Sequence, residues 1–283
     1  MGIIVLLLFL LYLIAIGIVS LLITLNTRKL KEVYKVDSIV VYLLCYLLNV
    51  VVAFFGFGEI NYHFILVVTS VFMLFVVVYF SKLTIIGLTG GIACGKSTIS
   101  TFMKSNLHIP VIDTDVLARE IVEPGKFAYN RIVSHFGEDI LDEERRIDRG
   151  KLGAIVFSNK GKRMILNWIT HPSIYFSMLQ AILQEYRSGN SHIVLEIPLL
   201  YESLLLPFIC YPIIVVYVTE ERIQKERLMR RNGLSDEEAE KRMRSQMSLK
   251  SKVSMSHIAL CNDTSPESMN QELISRLPFY FSH

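Results

Sequence analysis

The stretch Gly90-Gly91-Ile92-Ala93-Cys94-Gly95-Lys96-Ser97-Thr98 runs glycine, four residues, glycine, lysine, then serine and threonine. That spacing marks a phosphate-binding loop. Just upstream, Thr84-Ile85-Ile86-Gly87-Leu88-Thr89 reads as a short buried strand, and a helical pattern starts at Thr98 and continues to Lys104. A turn from strand to helix aims successive backbone N–H groups, and the helix N-terminus, at an anion. Glycine suits the turn because a side chain would block the phosphates or the positive φ angles required. The backbone of residues 90–98 then cradles a nucleotide, with Lys96 reaching its β and γ phosphates and the Ser97 hydroxyl helping to hold Mg²⁺. With strand and helix on the correct sides, a chance match is disfavoured.

Outward from the loop, the 283 residues change character sharply. Hydrophobic residues make up 52% of the chain, high for a soluble protein, and the excess lies at the front. Residues 3–25 carry no charge, 39–58 form a second apolar run, and 60–80 a third, broken by Asn61 and His63. A membrane-crossing helix takes about 20 residues. Residues 1–82 are therefore expected to form a membrane segment with about three transmembrane helices. Buried core helices are disfavoured, because half-buried helices show polar faces. A signal peptide is the weaker reading, since the first run lacks a basic start and a clear cleavage pattern. Leu6 stands where a myristoylation signal needs Ser or Thr.

Arg28, Lys29, Lys31 and Lys35 lie between the first two runs, Lys82 follows the third, and the intervening loop has only Glu59. Lysine and arginine bias places the first loop and Lys82 on the cytosolic side, with the domain from residue 83 facing the cytosol. Cys45, Cys94, Cys210 and Cys261 are scattered, which argues against a disulfide framework or zinc site and suits a reducing compartment. A net charge of +3, with no basic stretch interleaved with aromatics, disfavours nucleic acid as a partner. Nothing in the sequence sets an oligomeric state.

Beyond the loop, His108-Ile109-Pro110-Val111-Ile112-Asp113-Thr114-Asp115 reads as a brief strand ending in two carboxylates, with a helix from near Val116. Acids at the carboxyl end of a strand beside a phosphate loop lie where open α/β sheets bind ligands. One of them would accept a hydroxyl proton or organise Mg²⁺, while Asp115 is also a candidate helix cap. Arg119, four residues after Asp115, either clamps an acceptor phosphate or pairs with that acid. Residues 123–184 are helical in pattern, with turns at Gly137 and Gly161, a cap at Asp148 and an interruption at His171-Pro172. Residues 191–200 give a second strand that offers Glu196 for Mg²⁺ through water. Residues 211–218 and 257–262 read as further strands. Strands alternating with helices imply a parallel, three-layer α/β sheet. Between the last two strands lies an arginine-rich helix–turn–helix, about 222–250. Its turn is Asn232-Gly233, a capping box starts at Ser235, and it is suited to a lid over transferring phosphate.

These pieces, in this order, resemble the dephospho-CoA kinase family over about residues 83–276. The residues carrying the likeness are Gly87 to Ile92, Val111 to Asp115 with Ala118-Arg119, and Val122-Glu123-Pro124-Gly125. They continue with Ile147-Asp148-Arg149, His171-Pro172, Ile197-Pro198-Leu199-Leu200-Tyr201-Glu202, Arg227 to Arg231, Gln246 and Asn262. The resemblance implies a P-loop kinase fold with a helical acceptor-binding subdomain and a lid, using ATP and Mg²⁺ to phosphorylate the ribose 3′-hydroxyl of dephospho-CoA. It implies catalytic roles for Lys96, Asp113, Asp115 and Arg231, with Asp115 the preferred base. It also implies acceptor binding by Asp115, Arg119, Arg149 and His171. Glu196 and His257 each stand where many members carry Asp, and Cys94 where Gly or Ser is common. Near a helix N-terminus and Lys96, Cys94 is expected to be a reactive thiol, with an inert buried thiol as the alternative. A nucleotide kinase of the same fold, or a membrane-tethered ATP-binding regulator without turnover, are the competing readings. The Pro198-Leu199-Leu200-Tyr201-Glu202 segment argues against the first, and intact Lys96, Asp115 and Arg231 against the second.

Overall fold

The computed structural model describes residues 69–70, 82–203, 206–263 and 265–277. The three apolar runs, and with them the expected membrane segment, lie outside these residues apart from 69–70 and Lys82. Among the described residues no helix is long and apolar enough to cross a membrane. Five strands, β1 (Thr84–Gly90), β2 (Val111–Asp113), β3 (His192–Glu196), β4 (Ile213–Tyr217) and β5 (Ile258–Cys261), form one sheet in the order β2-β3-β1-β4-β5. The β1–β4, β2–β3 and β4–β5 pairs are all parallel. All of β1 and most of β4 are buried, so these strands read as unbroken apolar runs rather than alternating ones.

The chain divides into two compact units, one running to Cys94 and resuming at Leu199, the other Gly95–Pro198. The first unit carries β1, β4 and β5. From residue 199 onward, its helices among the described residues are α6 (Leu206–Ile209), α7 (Glu221–Asn232), α8 (Asp236–Arg244), α9 (Leu249–Ser254) and α10 (Pro266–Arg276). The expected helix–turn–helix is thus three helices, because Ser248 caps a new helix after Gln246 and Met247. The Asn232-Gly233 turn is present, with Gly233 left-handed at φ 63°, and Ser235 and Glu238 form the full capping box. His257 serves the fold. Its Nδ1 accepts the Ile213 N–H at 3.1 Å, and its ring sits edge-on to Tyr211.

In the second unit, β2 and β3 pack with α1 (Lys96–Ser105) and α5 (Lys160–Arg187). The helices α2 (Thr114–Glu120), α3 (Phe127–Phe136) and α4 (Arg149–Ser158) pack on α5 as well. Tyr129, Ile132, Ile140, Leu141 and Leu152 form the core of this helical part. Helix α2 begins at Thr114, not near Val116, and its cap is Asp113 rather than Asp115: Asp113 Oδ1 accepts the N–H of Asp115 at 2.8 Å. Asp148 caps α4 as expected. Two expected breaks are corrected. Gly161 lies inside the first turn of α5, whose cap is Asn159, and Pro172 sits within the helix without ending it. Proline removes one helical hydrogen bond, but burial of Met178 and Ile182 and packing on both flanks carry α5 through.

Candidate active site

The phosphate loop leaves β1 in a strained path. Gly90 has φ 153° and Gly95 φ 93°, and Ala93 holds a left-handed φ of 60° without being glycine. A side chain on Gly90 would run into the backbone carbonyl of Val216. Three contacts within the first unit fix the early loop. Cys94 N–H donates to Gly91 O at 3.3 Å, Gln224 Nε2 to Ile92 O at 3.0 Å, and Asn262 Nδ2 to Cys94 O at 2.8 Å. Two side-chain amides thus hold the carbonyls of Ile92 and Cys94. Arg227 in turn donates to Asn262 O at 3.0 Å. Gln224 gave no sequence signal, since it sits in a helix of charged residues and is recognisable only by its burial. The Cys94 thiol is fully buried, directly beneath Gly91, which favours the inert alternative over the expected reactive thiol. The same unit holds a cavity of about 480 Å³ lined by Gly91, Gln224, Lys225, Gln246, Met247 and Leu249. Arg231 lies on the last turn of α7, donating from Nε to Asn232 Oδ1 at 2.9 Å.

In the second unit, α1 starts at Lys96, and Thr98 N–H donates to Gly95 O at 3.1 Å. Lys96 is thus a cation at the positive end of a helix, unfavourable for the helix alone but useful for an anion. Ser97 is exposed beside it. At the carboxyl ends of β2 and β3, Asp113 faces Glu196 in register. The Thr114 hydroxyl donates to Glu196 O at 3.0 Å, joining the start of α2 to the end of β3.

These side chains share one electrostatic field. Partial enclosure raises the Asp115 carboxyl above the ordinary aspartate range, the Asp113 charge raises it further, and Arg119 and then Lys96 oppose the rise. Glu196 is also raised, first by burial and then by Asp113 and Asp115, against hydrogen bonding from Ser100 and the charge of Lys96. Lys96, Asp113, Asp115, Arg119 and Glu196 therefore form one cluster, with Ser100 a member that sequence reading missed. The arrangement suits a proton-accepting carboxylate beside cations that bind phosphate.

A cavity of about 740 Å³ opens from this cluster, walled by Asp115, Arg119, Arg146, Asp148, Arg149 and Thr170 among others. Arg149 opens α4, again a cation at the positive end of a helix. Arg146 was not foreseen. It reaches the wall through a tight turn in which Asp142 Oδ1 accepts its N–H at 2.8 Å. His171 is outside this wall, exposed on α5 and edge-on to Tyr175. Among the described residues no group of three His, Cys, Asp or Glu could hold a metal ion. Mg²⁺ bound mainly through substrate phosphates needs only one or two protein oxygens, which Ser97 and Glu196 can supply.

Comparison with known proteins agrees with this geometry. The dephospho-CoA kinase family profile matches residues 84–268. A dephospho-CoA kinase of Bacillus cereus is 47% identical over 179 residues, covering 63% of this chain and 88% of that protein. A dephospho-CoA kinase domain-containing protein of Danio rerio is 45% identical over 190 residues, covering 67% and 82%. Among solved structures, the dephospho-CoA kinase from Campylobacter jejuni superposes with a TM-score of 0.54 at 30% identity, covering 70% of this chain and 98% of its own. A Thermus thermophilus protein superposes with a TM-score of 0.59 at 29% identity, covering 70% and 97%. Sheet order, phosphate loop and paired acids together with these matches lead to one conclusion: the chain belongs to the dephospho-CoA kinase family.

Proposed function

We propose that this chain transfers the γ-phosphate of ATP to the ribose 3′-hydroxyl of dephospho-CoA, giving coenzyme A and ADP, and that Asp115 is the base. One observation carries the assignment. Asp115 belongs both to the Lys96 cluster and to the wall of the arginine-lined cavity. A diphosphate-bearing acceptor held by Arg119, Arg146 and Arg149 would present its hydroxyl to that carboxylate. The raised Asp115 carboxyl holds a proton more tightly than an ordinary aspartate, which favours proton acceptance. Asp113, with Oδ1 occupied in capping α2, is assigned to positioning Asp115 and tuning its charge. Lys96 and the loop N–H groups offset negative charge on the transferring phosphoryl group. Ser97 and Glu196 would hold Mg²⁺, which would supply neutralisation of phosphate charge when bound. Arg231, in the lid segment of about 222–250, is assigned to the same neutralisation on its residue type and place in sequence. His171 is left outside the acceptor site.

Residues 83–283 are the catalytic domain in this reading, and 1–82 a membrane anchor with the domain facing the cytosol. The activity is tested by incubating the chain with ATP, Mg²⁺ and dephospho-CoA and mapping the product by phosphorus NMR. One new phosphomonoester at the ribose 3′ position is expected; phosphate at another position, or none, refutes it. Resistance to carbonate washing tests the anchor separately. Release of the intact chain refutes it.

A further inference from the structure

Residues 149–184 contain no aspartate or glutamate, yet hold Arg149, Lys151, Lys160, Lys162 and Arg163. Within this stretch, α5 presents large apolar side chains to solvent: Met164 is 58% exposed, Trp168 76% and Phe176 61%, with Leu179 exposed as well. At about 100° per residue, Trp168, Phe176 and Leu179 fall on one stripe of the helix. Lys160 and Lys162 flank it. Met164 and Trp168 also border a groove of about 350 Å³ shared with Arg131 and His135 of α3. In that groove the Arg131 guanidinium lies over the Phe127 ring, itself exposed, at 5.6 Å. The acceptor cavity uses the other side of α5, through Leu166 and Thr170. The stripe is therefore not used by the proposed chemistry.

We propose that this face of α3 and α5 docks on an anionic lipid surface, with Trp168 at the level of the headgroups. Exposed tryptophan and phenylalanine bordered by lysine and arginine is the composition of an interfacial anchor, and long cationic side chains can reach phosphates while their stems cover apolar surface. The absence of carboxylates decides the occupant. A second copy seated on the same face would bring together two surfaces that each carry Arg131, Lys160 and Lys162, with no acid in residues 127–136 or 149–184 to pair them, whereas anionic lipid complements them. The three apolar runs, of which the third ends just before Lys82 and β1, would keep a bilayer close by. In that respect the inference rests on the membrane-anchor reading. Docking would restrict the tumbling of the acceptor-binding unit at the membrane.

Trp168 is the only tryptophan in the chain, so its fluorescence reports on this face without engineering. The full chain is reconstituted in vesicles of brominated phosphatidylcholine with and without about 30% phosphatidylserine. Expected is quenching of Trp168 by the brominated chains in the anionic vesicles, reduced at least about twofold without phosphatidylserine and in the Arg131→Glu/Lys160→Glu/Lys162→Glu variant. Circular dichroism of the variant verifies its fold. Emission that stays open to aqueous iodide and insensitive to brominated lipid overturns the proposal. So does a blue shift that follows protein density without brominated-lipid quenching, which would indicate a second copy. Vesicle flotation read in parallel reports the anchor alone, so a chain that floats with an unquenched Trp168 refutes docking and leaves the anchor standing.

Discussion

Asp113 and Asp115 are two residues apart, but the proposed mechanism gives them different work, and conservative substitution should separate them. Asp113→Asn keeps an oxygen to accept the Asp115 N–H and so preserves the cap of α2, since asparagine caps about as well as aspartate. Asp115→Asn keeps shape but removes the proton acceptor. Loss of a general base costs about 10²–10⁴ in rate, or about 3–5 kcal/mol of transition-state stabilisation. Asp115→Asn should therefore lower kcat at least about 100-fold, while Asp113→Asn lowers it by less than about tenfold. The pH profile supplies an independent sign. The base must be ionised, so activity falls as pH drops through its raised pKa. Asp113 is one cause of that rise and Arg119 opposes it. Removing the Asp113 charge must move the acidic limb of kcat/KM, which reports the free enzyme, to lower pH. Arg119→Gln must move it to higher pH. Steady-state ADP release measured across pH reads both effects. Equal losses in the two Asn variants, or an acidic limb unmoved by Asp113→Asn, would refute the division of roles.

Three further outcomes follow from packing. Lys252 is fully buried with Nζ 3.0 Å from Glu202 Oε1, which also accepts the Met247 N–H at 2.9 Å. Glu202→Ala should cost about 3–5 kcal/mol by removing the carboxylate that pairs with the buried lysine charge, roughly 6–20 °C in Tm, while Lys252→Met should cost less; the reverse order in thermal unfolding contradicts this. Gly90→Ala sets a Cβ against the backbone carbonyl of Val216, which cannot rotate away, and should destabilise by at least about 2 kcal/mol. A Tm equal to that of Gly125→Ala, where nothing lies within 4 Å of the added carbon, would refute the steric argument. Cys94 is buried, so maleimide should label it at least about tenfold more slowly in native protein than in urea. Equal rates by mass spectrometry would show the thiol to be accessible.

The phosphate loop, the buried strands and the Ser235–Glu238 capping box were legible because each is specified by residues close in sequence. The roles of Asp113 and Asp115 were not, since either acid can cap α2 and only the backbone path selects Asp113. Local rules misplaced a break at Pro172 because the packing that carries α5 past it comes from distant segments. Gln224 and Asn262 grip the loop across 132 and 168 residues of chain, and the burial of Cys94 depends on the backbone folding over it at Gly91. Arg146 reaches the cavity wall by a turn whose shape depends on Asp142, a contact invisible to motif spacing.

An arginine-lined cavity ending at Asp115 is proposed to select dephospho-CoA as the phosphoryl acceptor. That selection is read from kcat/KM for ADP release with ATP and Mg²⁺ over dephospho-CoA, nucleoside monophosphates, shikimate and gluconate, with Lys96→Ala as the background. Dephospho-CoA should exceed every other acceptor by at least about 100-fold, because only it offers both a diphosphate for the arginines and a ribose hydroxyl for the base. Comparable or faster turnover of a nucleoside monophosphate, or dephospho-CoA turnover no higher than in Lys96→Ala, would contradict it.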